Sequence, residues 1–187
     1  MNYWRRTTTA GILFPMARDF VDWVIDRWGE ERPELDLSSI SVVGRVLRIA
    51  SLLEERFERL FREHGFSFWA FTVLTALRRA GEPYRLSPSQ LQSAGMVSAA
   101  AVTKRISRLE ELGLVERIPD PNDGRGTLVG LTKRGLKLID KLGVRYLEEE
   151  RAAIAALDPE QQAALAELLK QLLLGLEGPR TGPSRRR

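Results

Sequence analysis

The stretch LSPSQLQSAGMVSAAAVTKRISRLEELGLVERIPDPNDGRGTLVGL, residues 86–131, decides the fold. Ser87-Pro88 places a capping hydroxyl before a proline suited to the first helical position, and this first helix closes at Ala94-Gly95. Ser98 is placed to cap a second helix running from Ala99 to about Leu112, and Gly113 stands where a left-handed residue ends a helix. Leu114, Glu116 and Ile118 then alternate with Val115 and Arg117. Thr127 to Leu131 read as the returning strand, with Pro119-Asp120-Pro121-Asn122-Asp123-Gly124 as the turn between. A short helix, a second helix and a hairpin with Arg125 at its tip make a winged helix-turn-helix.

At about 100° per residue, Val102, Ile106 and Leu109 of the second helix fall on one line and face a core. Ala100, Lys104, Ser107 and Glu111 lie opposite, flanked by Thr103 and Arg108. Small residues let a helix backbone approach a surface closely, and hydroxyl and ammonium groups reach base edges and phosphates in a major groove. An ordinary solvated face explains this helix alone equally well. The capped helix before it, with Ser87 and Ser89, and the basic hairpin after it turn the reading toward double-stranded DNA.

These residues resemble the MarR (multiple-antibiotic-resistance regulator) family. The pieces that carry the resemblance are Ser87-Pro88-Ser89-Gln90-Leu91, residues 97–110, Gly113-Leu114-Val115-Glu116-Arg117, residues 120–126 and Leu131-Thr132-Lys133-Arg134-Gly135, and it covers residues 20–175. It implies that Arg125 enters a minor groove while Asp123 holds it in position. A narrow groove attracts a guanidinium, and a nearby carboxylate restricts its rotamers. Asp123 also fits a plain turn residue.

The chain is 187 residues long, one domain by length with room for arms. It has no cysteine, which excludes disulfides, thiolate metal sites and thiol redox switches. Its single histidine, His64, sits at the end of a helix and reads as a terminal residue rather than a ligand or base. No phosphate loop or cluster at metal-ligand spacing is present, so neither an enzyme nor a cofactor is expected. The start of the chain lacks a secretory apolar region and no run is long enough for a membrane span, so a cytoplasmic protein is expected. Lys and Arg total 29 against 25 acidic residues, but Arg180, Arg185, Arg186 and Arg187 lie in a Gly/Pro/Ser-rich tail. Without them the body is neutral, and a DNA-binding surface has to come from local segregation of charge.

Helical spacing runs from Pro15 to Trp28, with Phe20, Val24 and Trp28 in line and Gly29 and Pro33 as the stop. Ser38 or Ser39 caps a long helix from Ile40 to about His64, with Val43, Leu47, Ala50, Leu53, Phe57, Leu60 and Phe61 inward. Ser67 caps the next helix, which carries Trp69, Val73, Leu74 and Leu77. Thr132 caps one reaching about Leu157. Asp158-Pro159-Glu160-Gln161 starts the last, whose apolar face comprises Ala164, Leu165, Leu168, Leu169, Leu172 and Leu173.

The expected architecture is mainly α with a small β-hairpin wing: an arm and extra helix over 1–37, a long helix over 38–66, the winged domain over 67–135, C-terminal dimerisation helices over 136–176 and a basic tail over 177–187. Excess apolar surface on the terminal helices argues for a homodimer. Its function would be a repressor on a pseudo-palindromic operator. Alternatives are a winged domain used for protein contacts and a regulator without a ligand.

The region around Trp28 and Glu31-Arg32-Pro33-Glu34-Leu35-Asp36 further resembles the urate-responsive branch of that family, whose members bind small anionic metabolites, urate or tricarboxylates among them. The ligand set of that branch falls on Trp28, Arg105 and Arg117, with its acidic position on Thr72. For Trp28, a core or dimer-seam aromatic is the competing role. Arg105 projects between the core line and the outward face, where a guanidinium calls for an anion from the protein or from a carboxylate or purine ligand.

Overall fold

The computed structural model describes residues 18–95, 99–121 and 123–178, and the chain divides between Arg56 and Phe57 into two compact units. The expected cap at Ser98 and the arginine tail lie outside the described residues.

The unit from Phe57 onward is built on α3 (Phe68–Arg79), α4 (Pro88–Gly95) and α5 (Ala99–Glu111). The Ser67 hydroxyl accepts the Ala70 amide at 3.1 Å and starts α3, which buries Phe71, Val73, Leu74 and Leu77. Trp69, at the start of the same helix, is 39 % exposed. Before α4, Ser87 and Gln90 form a reciprocal cap. The Gln90 amide donates to Ser87 Oγ at 3.2 Å and the Ser87 amide to Gln90 Oε1 at 2.7 Å. In α5, Val102, Ile106 and Leu109 are buried as their spacing requires, and Gly113 ends the segment at φ +66°.

The sheet consists of β1 (Arg85–Leu86), β2 (Val115–Asp120) and β3 (Asp123–Leu131), antiparallel in the order β1-β3-β2. The hairpin is longer than expected. Pairing runs from Val115↔Leu131 to Asp120↔Asp123, into the segment 119–124 expected as the turn. Pro119 does not break the strand because the register shifts between Pro119 and Asp120, and an irregularity of this kind accommodates a residue that lacks an amide donor.

Thr132 ties the wing to α6 (Lys133–Ala153): its hydroxyl donates to the Gly113 carbonyl at 2.8 Å and accepts the Gly135 amide at 3.0 Å. Gly135 lies so close to the backbone that a Cβ there would stand 1.9 Å from the Leu114 carbonyl oxygen. α6 stops at Ala153, short of Leu157, because residues 154–157 form a turn leading to the Asp158 cap of α7 (Pro159–Glu177). No residue of α7 is buried, and its leucines are exposed.

In the unit up to Arg56, α1 (Phe20–Glu31) begins at the Asp19 cap and runs through Gly29, which was expected to end it. A glycine inside a helix costs only about 1 kcal/mol against alanine. The helix gives out at Arg32 (φ −138°), the residue that Pro33 forces out of helical geometry. The expected start at Pro15 lies outside the described residues. Arg45, on the first half of α2 (Ile40–Arg62), pairs with Asp19 at 2.7 Å and Asp22 at 2.6 Å. Val21 packs on Gly44, where a Cβ would come within 3.0 Å of it. The inward stripe expected along α2 is uneven. Phe57, Leu60 and Phe61 are buried, but Val43, Leu47 and Ala50 are exposed. α2 ends at Arg62, before His64, which lies in the turn leading to Gly65 at φ +78°.

Candidate nucleic-acid interface

The buried line of α5 fixes what its other side presents. Ala100, Thr103 and Lys104 are exposed and Ser107 is half-buried. Ser89 is exposed at the start of α4, and its hydroxyl lies 2.8 Å from that of Ser87. The Ser87 oxygen is thereby committed to both the cap and its neighbour. Ser98 and the Arg125 side chain lie outside the described residues, while the backbone at Arg125 belongs to β3.

At the hairpin tip, Asp123 is exposed and its carboxylate folds over Gly126. A Cβ at that glycine would stand 3.1 Å from Asp123 Oδ2 and 3.0 Å from Asp120 Cβ. Any side chain at residue 126 would displace the carboxylate expected to hold Arg125.

Arg108 does more than flank the outward face. Its Nε donates to the Gly65 carbonyl at 3.0 Å and its Nη1 to Glu111 Oε2 at 3.0 Å, which ties α5 to the turn between α2 and α3. Residues 65 and 108 are remote in sequence, and no local pattern announces the contact.

The residues expected to form a ligand set belong to the two units, Trp28 to the first and Thr72, Arg105 and Arg117 to the second, and each has its own surroundings. Trp28 is 48 % exposed and lines an apolar hollow of about 360 Å³ with Phe20, Val24, Val43 and Leu47. Arg117, on β2, donates from Nε to Glu110 Oε2 at 3.1 Å. Thr72, in the acidic position, donates its hydroxyl to the Trp69 carbonyl at 2.8 Å. Arg105 finds a partner that sequence reasoning missed: its guanidinium lies over the Trp69 ring, 5.4 Å from the centroid. Burial lowers its pKa from the ordinary arginine value, and no carboxylate among the described residues offsets this. Arg105 and Trp69 belong to a cleft of about 610 Å³ that Arg62, Lys104 and Arg108 also line.

A helix-turn-helix with a hydroxyl- and lysine-bearing outer face, followed by a β-hairpin wing within a three-stranded sheet, defines a winged-helix DNA-binding protein. The profile of the MarR family matches residues 64–126. The chain is 33 % identical over 146 residues to the HTH-type transcriptional regulator PecS of Dickeya dadantii (strain 3937), covering 78 % of this chain and 88 % of PecS. The crystal structure of Sco3205, a MarR family transcriptional regulator from Streptomyces coelicolor in complex with DNA, superposes with a TM-score of 0.69 at 26 % identity, covering 79 % of this chain and 96 % of that one. The structure of Bordetella bronchiseptica BpsR, a protein whose DNA binding is regulated by 6-hydroxynicotinic acid, gives 0.62 at 26 % identity over 70 % of this chain and 91 % of that one. The chain belongs to the MarR family and is a DNA-binding transcriptional regulator, not an enzyme.

Proposed function

We propose that the protein is a cytoplasmic repressor that binds a pseudo-palindromic operator as a homodimer and is released by a small anionic metabolite. Residues 67–135 carry the DNA contacts, while the long helix over 38–66 and the helices over 136–176 supply the dimer surface. The observation that carries the reading is the division of α5 into a buried line and an outer face of Ala100, Thr103 and Lys104. That face enters a major groove, with Ser87, Ser89, Ser98, Ser107 and Arg108 at its borders, and Arg125, steadied by Asp123, reaches the adjacent minor groove. A two-fold pair places its recognition helices about 34–36 Å apart, on one side of the duplex. Exposed leucines along α7 and exposed valines on α2 support a second copy as their cover. Repression follows from occupying a promoter, and the 6-hydroxynicotinic acid named for BpsR supports an aromatic carboxylate as effector class.

The test is fluorescence anisotropy on a labelled duplex from the region upstream of the protein's own coding sequence, at several salt concentrations. Affinity should fall steeply with salt and be lost in Arg125→Ala. Binding that ignores salt, or survives that substitution unchanged, would point to a wing used for protein contacts.

A further inference from the structure

We infer that the outer face of α6 is a second polyanion surface, which takes the phosphate backbone of a duplex segment other than the one held by α5 and the wing. It shares none of the side chains assigned to the operator above.

At about 100° per residue, Gly135, Ile139 and Leu142 fall on the buried side of α6. Lys133, Arg134, Lys137, Lys141 and Arg145 fall within an arc of about 120° on the other side, and all five are exposed. Asp140 is the one acidic residue between Lys133 and Arg145, and it is engaged by α3, where Arg78 Nε donates to its Oδ1 at 2.7 Å. Among the described residues, none of the five cations meets a carboxylate. In a chain whose body is neutral, this is a local segregation of charge.

The stripe opposes the stability of its own helix. Cations in a first turn run against the helix dipole, and like charges four residues apart, as in Lys133, Lys137 and Lys141, repel. Glu148, Glu149 and Glu150 stand toward the other end, so exchanging the two blocks would suit the dipole better. Helix stability therefore does not account for this order, whereas a bound polyanion offsets both penalties.

Spacing and composition select the polyanion. The three lysines follow one another about 6 Å apart along the axis, and the stripe spans about 18 Å. Duplex DNA carries one charge per about 1.7 Å of its axis, so a row of point charges finds phosphates without reading sequence. Protein interfaces centre on aromatic and apolar anchors and are depleted in lysine, and the large apolar side chain on this arc, Val144, stands at its end beside Arg145. A second copy is unsuited, because a two-fold seam here would set the same cations against each other. Nor does the duplex at the wing tip serve. Arg125 lies six positions before Leu131 in β3, which places the tip about 20 Å from the root of α6.

The experiment is amine-reactive footprinting of the full-length protein, read by mass spectrometry. One equivalent of the duplex from the region upstream of the coding sequence per two chains should protect Lys104 and leave Lys137 and Lys141 reactive. Further duplex of unrelated sequence, at tens of micromolar, should then protect Lys137 and Lys141, as suits a non-specific phosphate surface. In a capture assay, protein held on the immobilised upstream duplex should retain the unrelated duplex from solution. Lys137→Gln, Lys141→Gln and Arg145→Gln introduced together should lower that capture about tenfold or more and leave affinity for the immobilised duplex within about twofold. Lys137 and Lys141 that stay reactive at every concentration, equal protection by polyglutamate of the same total charge, or capture indifferent to the triple substitution would each overturn the proposal. Protection of Lys137 and Lys141 by the first equivalent would also overturn it, by placing the stripe on the operator duplex itself. Protection of Lys137 and Lys141 with Lys104 reactive throughout would uphold the stripe and remove the operator reading.

Discussion

At the scale of single residues, Lys104 and Arg108 separate two kinds of contribution to DNA binding. Lys104 is exposed and has no carboxylate partner among the described residues, so it is available to a phosphate. Lys104→Ala should lower operator affinity and reduce the slope of log affinity against log salt by about one, measured by anisotropy across a salt series. Arg108 is engaged by Gly65 and Glu111, so its truncation should lower affinity through a loosened α5 and leave that slope nearly unchanged. Glycines give the sharpest stability expectations. Gly135→Ala would drive a methyl group into the Leu114 carbonyl, which stands 1.9 Å from the ideal Cβ, and should prevent native folding as read by circular dichroism. Gly65→Ala should cost about 1 kcal/mol or more, since φ +78° is strained for any other residue and Arg108 Nη2 lies 3.4 Å from the new atom. Helical spacing alone revealed the buried line of α5. It could not reveal that Arg105 rests on Trp69, because residues 36 positions apart meet only through the tertiary fold.

At the scale of elements, capping chemistry was the most legible signal. Ser67, Thr132 and Asp158 each cap the helix expected of them, and Ser87 with Gln90 does the same for α4. Replacing Asp158 by Ala should cost about 1 kcal/mol, read as a shift in the thermal midpoint. Helix ends were less legible where a single residue type carried the inference. Gly29 fails to stop α1 because the hydrogen-bond ladder tolerates a glycine, and the stop comes from Pro33 acting on Arg32. The wing outruns its expected turn because cross-strand pairing continues past Pro119. On α1, the Asp19 amide and then the Arg45 guanidinium hold the Asp22 carboxyl below its ordinary value. The sign follows from that direction. The contribution of Asp22 is present above the ordinary carboxylate range and is lost as pH falls through the depressed pKa. Carboxyl NMR should find Asp22 titrating below 3.8, and Arg45→Ala should move it upward.

At the scale of the whole molecule, the sequence announces more apolar surface than the described residues bury. Periodicity marks the leucine face of α7 as a surface seeking a partner, and α7 buries none of its residues. Spacing predicts an inward stripe along α2, yet Val43 and Leu47 are exposed. Periodicity identifies an apolar face but not whether its cover belongs to the same chain, and that is why the two halves of α2 could not be told apart. Truncation before Pro159 should therefore abolish self-association, with sedimentation velocity as the readout.

The central claim is that two copies present α5 and the wing to one side of one duplex. Native mass spectrometry of the protein with a duplex carrying its operator tests this directly. The account predicts a complex of two chains per duplex that persists at low ionic strength and disappears in Arg125→Ala. A single chain on each duplex, or no complex at any ionic strength, would contradict it.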